Sequence, residues 1–445
     1  MTQLLARTTF PRIIRVFNAA RLRPYSSPSR TLYHRARNTV TTLPSAPLQS
    51  QSAAMSTLLA DKHASTNLQG FYSWVEPIKG IYYGPGSVAT ALPKLRAAIG
   101  GKKALVVTGH SLYHKTDVVK KVEAILRAED AHGATFYEIG QHSPVAGIRA
   151  GIQAFKDCGA DHIVAVGGGS PVDASKAMLY FLQQETGGPY LHQIAIPTTL
   201  SAAEYTIGAG YTDESGQKVA VSSPQLAPAG IILDAELTLS TPERLWLSTG
   251  LRAVDHATEN LYRDLVTPPM KVLCYQALHD LFEYLPKSKA DPSDVEARQK
   301  LQVASWMSLW PMKLEKYSAL GLSHALGHKL GAAYSIPHGI TSCLTLAPVV
   351  RLKARIGSQE DKEWLAGALY HLREPSTGSL DGDVLRLADL IQGLVDGLGL
   401  KSTLTEYNVP REDVPKIAER ALGGKTEIHG DVVKVLEGLY VPSAL

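Results

Sequence analysis

From Lys102 to Asp234 short β-branched runs alternate with helical patterns, and few folds accept such a series. "KALVVTG" (103–109) reads as a strand, and "DVVKKVEAILRAE" after it as an amphipathic helix. "ATFYEIG" (134–140) is a second strand, and "VAGIRAGIQAFKDCG" a helix ending at Gly159. "HIVAVGGGS" (162–170) runs from a strand into a glycine loop, "HQIAIPTT" (192–199) is a further strand, and "AGIILDAELT" (229–238) closes the series. Strands alternating with helices predict a parallel sheet covered on both faces. After Thr241-Pro242 the texture changes to long helical patterns with almost no strand signal. "TPERLWLSTGLRAVDHATENLY" opens with a cap-like Thr241, Pro242 at the first helical position and Glu243. The expectation is an α/β domain over 70–238 and an all-helical domain over 239–445, with the boundary near 235–242.

Residues 1–60 differ in kind. They contain no Asp or Glu, but eight arginines from Arg7 to Arg37 among many Ser and Thr. That composition predicts an organelle transit peptide, which would place the protein in the mitochondrion. A disordered basic tail, or sequence ahead of a start at Met55 that leaves the protein cytoplasmic, are the alternatives. The C-terminal Ser443-Ala444-Leu445 lacks the basic middle residue of a peroxisomal signal. The net charge is +4, and without residues 1–60 the remainder is close to neutral, so no nucleic-acid patch is expected. No apolar run of about 18 residues occurs, so no transmembrane helix is expected. Cys158, Cys274 and Cys343 are too scattered for a disulfide framework or a C-x-x-C knuckle, which suits a reducing compartment.

"VGGGSPVDASK" (166–176) sits between a strand and a helix. Gly167, Gly168 and Gly169 would let the backbone approach a phosphate, and the helix N-terminus behind Pro171 offers free N–H groups to an anion. Ser170, Asp173 and Lys176 lie on the turns that follow and join the expected cofactor-binding set. "IPTTLSAAEYT" (196–206) adds the hydroxyls of Thr198, Thr199 and Ser201 where strand ends line a ligand crevice.

"GGGSPVDASK", "IPTT", "TGLRAVDHATE" and "HALGHKLGAAYSIPHG", in this order and spacing, resemble the iron-type (group III) alcohol dehydrogenases, whose superfamily includes glycerol dehydrogenase and dehydroquinate synthase. The resemblance runs from Tyr82-Tyr83-Gly84-Pro85-Gly86 to near the C-terminus. It implies an N-terminal Rossmann-like dinucleotide domain with a parallel sheet, a C-terminal all-α domain, a dehydroquinate synthase-like fold, an active site in the cleft between, and a homodimer. Within the superfamily the sequence is most similar to the maleylacetate reductases, through the compact "PTTLSAAEYT" loop and "QHSPVAG" (141–147). Ala203 stands where that branch usually has Ser.

In metal-dependent members an Asp and three His hold a divalent ion, the Asp four residues before the first His. The resemblance maps the histidines onto His256, His324 and His338, and the Asp position is Arg252. A divalent ion a few Å from a buried guanidinium is repelled by several kcal/mol at intermediate dielectric. Asp255 is no evident substitute, because it lies about a quarter-turn from His256 on a helix. Maleylacetate reductases also lack this Asp and are regarded as metal-independent, so no metal is expected. The planar fork of Arg252 suits a substrate carboxylate, or the carbonyl oxygen a metal would polarise. A helix-surface ion pair with Asp255 or Glu259 is the alternative role. His256, His324, His328 and His338 then become acid/base and orienting groups, unranked, with His328 matching a family histidine near the nicotinamide. Gly109 stands where NAD-selective members often carry an Asp, so NADH or NADPH is the expected cofactor.

The reading is a metal-independent, NAD(P)H-dependent reductase of an oxo- or unsaturated carboxylic acid, similar to maleylacetate reductase and suited to aromatic-ring catabolism. Rivals are a metal-dependent alcohol or aldehyde dehydrogenase, a lyase or cyclase on the same fold, and a non-catalytic nucleotide-binding protein. The expected partner is a small carboxylated substrate, with no nucleic acid and no membrane.

Overall fold

The computed structural model describes residues 73–74, 77–140, 143–215, 218–310, 312–313 and 318–441. The basic segment 1–60 with Met55, His142 of the 141–147 stretch and the C-terminal Ser443-Ala444-Leu445 lie outside the described residues. In chain order the strands are β1 (Ser73–Trp74), β2 (Gly80–Tyr83), β3 (Ala104–Val107), β4 (His132–Phe136), β5 (His162–Gly167) and β6 (His192–Pro197). They continue with β7 (Gly208–Thr212), β8 (Lys218–Ser222), β9 (Gly230–Leu233) and β10 (Met312–Lys313). Six of them form a parallel sheet in the order β2-β9-β6-β5-β3-β4.

The sheet forms because its central strands are apolar on both faces. Every residue of β3 and β5 is buried, which marks a parallel sheet sandwiched between helices. Alternation divides them: Ala104 and Val106 pack with Val119, Val122 and Leu126 on one side. Leu105 and Val107 pack with Phe136, Ile148 and Met178 on the other. β4 ends at Phe136, short of the expected 134–140 strand; the chain turns away at Tyr137, whose ring stacks on Tyr113 at 4.3 Å. The antiparallel β7–β8 hairpin was not expected from the alternation, because its residues are mostly half-buried and give no apolar run.

β3 has β4 on one side and β5 on the other, so the strand order reverses between β3 and β5. Ligands of open α/β sheets bind at that reversal, beyond the strands' carboxyl ends. Gly109 follows β3 and the glycine triplet closes β5, so both loops flank the reversal.

After Asp234 the chain is helical apart from β10, which pairs antiparallel with β1. At the centre runs the Glu243–Tyr262 helix, buried at every residue from Trp246 to Tyr262. The helices Pro268–Ala290, His338–Ile356 and Leu380–Gly397 share its apolar core. A helix enclosed on all sides cannot turn its polar residues to water, so Arg252, Asp255, His256 and Glu259 must find partners inside. Thr241 does not cap this helix as expected: the helix begins at Glu243, and Thr241 Oγ1 donates instead to Thr198 O at 2.7 Å. With Leu200 N donating to Thr249 Oγ1 at 3.1 Å, that bond ties the loop after β6 to the central helix. No described helix is long and apolar enough to cross a membrane, and the three cysteines are free.

Candidate active site

A cavity of about 2940 Å³ opens between the carboxyl ends of the strands and the helices beyond them. Its sheet-side wall is largely backbone. Gly167 adopts φ +138°, where a side chain would be strained, and a Cβ there would meet Pro171 Cγ at 3.1 Å. A Cβ on Gly168 would meet Thr199 Cγ2 at 3.1 Å, and one on Gly169 would meet Ser201 Oγ at 3.3 Å. The cradle therefore exists only because side chains are missing, and its surface consists of amide groups and the hydroxyls of Thr199 and Ser201, bonded to each other at 3.1 Å. It leads into the Gly169–Thr186 helix, whose first-turn N–H groups and positive dipole end suit a phosphate. Gly109, Ser170, Asp173 and Thr198 line the same cavity. A dinucleotide's pyrophosphate fits this donor set.

Lys176 does not belong to that wall. It is fully buried, and Nζ donates to the carbonyls of Ala203 (2.6 Å), Thr206 (2.8 Å) and Gly208 (3.1 Å) and to Thr206 Oγ1 (2.8 Å). Three helical residues beyond Asp173, it points away from the cradle and braces the loop before β7, so the assignment to cofactor contact is corrected to a strut. Burial, opposed by Asp173 and Glu204, lowers Lys176 to about 8.

The helix-side wall gathers every histidine expected there, together with Arg252. His256 and His324 stack loosely with ring centroids 4.7 Å apart; His324 to His328 is 6.4 Å, and His328 to His338 is 5.7 Å. Their environments differ. His324 sits against two carboxylates of the central helix, Nδ1 lying 2.8 Å from Glu259 Oε2 and 3.3 Å from Asp255 Oδ1. Glu259 is itself held, Oε1 accepting from Ser323 N at 2.7 Å and Tyr262 Oη at 3.0 Å. Asp255 Oδ2 accepts from Ser342 Oγ at 2.6 Å and Ser323 Oγ at 3.0 Å. Burial and Arg252 oppose charge on His324, yet the two carboxylates outweigh them and its pKa is raised. Its Nε2 is buried and has no hydrogen-bond partner. His256 has no such support: burial, then His324 and Arg252, push it well below the ordinary histidine value. Burial, Arg252, His324 and Lys218 push His328 to about 3. Of these rings, His324 is the one whose surroundings favour the protonated form, whereas those of His256 and His328 disfavour it.

Arg252 makes the ion pair with Asp255 that was its alternative role, inside the protein and not on a helix surface, and it also faces the cavity. It is 6% exposed and lines the cavity, while Nη1 donates to Ser342 Oγ at 3.1 Å and lies 3.6 Å from Asp255 Oδ2. Lys218, on β8, reaches across to hydrogen-bond His338 Nε2.

A divalent ion does not fit these donors. His338 Nε2 already accepts from an ammonium, and a guanidinium stands beside His324 and His328. Asp255, Glu259 and His324 do bring ligand atoms within 4.8 Å of one another. In that trio Nδ1 of His324 is already bonded to Glu259 and Asp255 is engaged by two hydroxyls.

An iron-containing alcohol dehydrogenase model matches residues 79–235, and the C-terminal model of the same family matches 246–433. The chain belongs to the iron-containing alcohol dehydrogenase family. Maleylacetate reductase of a Rhizobium species is 31% identical over 281 residues, 63% of this chain and 74% of that protein. NAD-dependent methanol dehydrogenase of Bacillus methanolicus is 28% identical over 354 residues, 76% of this chain and 90% of that one. The crystal structure of the Rhizobium maleylacetate reductase superposes with TM-score 0.68 at 25% identity, over 84% of this chain and 99% of that one. The protein is thus an oxidoreductase of the iron-containing alcohol dehydrogenase family, most like the maleylacetate reductases.

Sequence reading missed Glu259 and Lys218 as parts of this site. Asp255 and Glu259 stand four apart on one helix face and flank His256, a pattern that could have announced a carboxylate pair behind a histidine. Nothing local announces Lys218, whose partner lies 120 residues away.

Proposed function

We propose that the enzyme reduces an oxo- or unsaturated carboxylic acid, of the maleylacetate kind, with NADH or NADPH and without a metal ion. The observation that carries this reading is Arg252, a buried guanidinium facing the cavity beside a clamped His324. A reduced nicotinamide cofactor held by the cradle supplies the hydride. Arg252 grips the substrate carboxylate through its planar fork, orienting the reacting carbon and offsetting negative charge. Hydride addition leaves negative charge on the substrate, and His324 Nε2 delivers the proton that neutralises it. Asp255 and Glu259 hold the imidazole in place and charged before transfer. His256 and His328, both neutral, shape the pocket around it. Gly109 puts no carboxylate near the adenosine ribose, which supports use of NADPH as well as NADH.

The maleylacetate reductases among the relatives support the substrate class, and the methanol dehydrogenase keeps an alcohol or aldehyde as the second reading. By the same reasoning the enzyme acts as a homodimer in aromatic catabolism, in the mitochondrion or, from a start at Met55, in the cytoplasm. The test is NADPH and NADH oxidation against a panel of maleylacetate, other oxo and unsaturated acids, and short aldehydes. Turnover confined to the carboxylates is the expected result. Turnover confined to the aldehydes would favour the second reading, and conversion without net oxidation of the cofactor would favour a lyase or cyclase.

A further inference from the structure

Beside Arg252 the cavity holds a further cation, Lys218, that no carboxylate among the described residues hydrogen-bonds. Lys218 opens β8, opposite Thr212, and lines the same cavity as Arg252 and His328. Arg252 has a carboxylate at 3.6 Å. Among the described residues, the hydrogen-bond partner of Lys218 is an imidazole nitrogen, that of His338. Asp173 is close enough to act on it, but Asp173 is also drawn to Lys176, 3.9 Å away on its own helix. A half-buried ammonium resting on an imidazole, with no carboxylate in hydrogen-bond contact among the described residues, gains most from an anion that enters its cavity. The position matters as well as the charge. The hairpin hangs from the sheet side and His338 begins a helix on the other side, so the ammonium stands where the two walls meet.

We propose that Lys218 is a second substrate-touching residue, gripping a second carboxylate while Arg252 holds the first, and so selecting dianions over monoanions. This rests on the carboxylate reading of the site and adds to it the residue that sets specificity. At rest His338 Nε2 occupies one donor position of the ammonium; the incoming oxyanion takes that place or an adjacent one. The step is binding only, with no bond made or broken.

The experiment uses the enzyme saturated with NADP⁺ and two non-reacting probes of equal chain length, succinate and butyrate, titrated calorimetrically. The wild type is expected to bind succinate about tenfold more tightly than butyrate, a ratio typical of one added charge-assisted contact. Lys218→Met is expected to bring that ratio to within about threefold by weakening succinate alone, and Lys218→Arg to keep it. Lys218→Gln, a neutral donor of similar reach, serves should the methionine variant not fold. A wild type without preference, or a folded neutral variant with the preference intact, overturns the assignment. Arg252→Lys is measured alongside: if it weakens both probes while the neutral Lys218 variants change nothing, Lys218 is wrong and the carboxylate reading stands. If it leaves both probes bound as before, that reading itself fails.

Discussion

The two walls of the cavity are built by opposite means. The sheet-side wall binds through the absence of side chains: three consecutive glycines after one strand and two hydroxyls from the loop after its neighbour, all set by local backbone geometry. The helix-side wall binds through side chains that belong in water, held inside by one another. His324 and Glu259 are 65 residues apart, Arg252 and Ser342 90, and Lys218 and His338 120. A backbone cradle tolerates no added bulk but carries little charge to lose. A buried charge network tolerates isosteric change but fails when one partner leaves, because the others remain desolvated and unpaired.

The largest expected effect therefore lies on the helix side. Arg252→Ala strips Asp255 of its cation and the substrate of its anchor, and should lower kcat/KM about a thousandfold or more, roughly 4 kcal/mol. Steady-state reduction assays check it, with circular dichroism confirming the fold. Retention of most activity would equate the two walls and remove the distinction. Next comes His324→Gln, expected to lower kcat about a hundredfold with little change in KM, since a proton donor acts in the transition state. An equal loss in His256→Gln would show that the carboxylate clamp does not single out His324.

On the sheet side the effect is smaller and steric. Gly168 has φ −83°, acceptable to alanine, so Gly168→Ala tests bulk alone. It should raise the dinucleotide KM about tenfold without lowering kcat much. Combination with Thr199→Ser, which removes the methyl that the new Cβ would meet at 3.1 Å, should recover part of the loss. No recovery would move the phosphate away from this cradle.

The smallest effect is a shift with pH. His324 must carry its proton, and its pKa is raised in the folded protein, so reduction should fall as pH rises through that raised value rather than at 6.5. The same interaction favours the folded state fully below 6.5 and fades over the window above it. Glu259→Gln should move the alkaline limb of kcat to lower pH. Lys218 adds a second change: facing Asp173, Arg252, His328 and His338, it is lowered to about 8, burial being the chief cause. Succinate affinity should fall across that pH while butyrate affinity stays level.

The same division governs what could be read in advance. β3 and β9 are continuous apolar runs, and β5 and β6 carry apolar runs after polar first residues; a buried parallel strand needs little else to announce it. The glycine loop was legible because its parts are adjacent. Lys176 was misplaced because spacing puts it beside Asp173 without saying which way a long side chain turns; three carbonyls of a distant loop decide that. The β7–β8 hairpin escaped notice for lack of an apolar pattern, and Lys218 with it. Among the histidines, sequence supplied the set but not the order, since order depends on which ring has carboxylates behind it. Thr241 shows the local version: a capping residue by composition, it is spent on a carbonyl across the cavity floor.

On the proposed reading, fixed organic cations and one clamped imidazolium take the place of an ion. The most direct test is maleylacetate reduction by NADPH after exhaustive treatment with chelator, with iron, zinc and nickel quantified in the same sample. Full turnover at far substoichiometric metal is the expected result. Activity that vanishes on chelation and returns in proportion to added iron or zinc would contradict the claim.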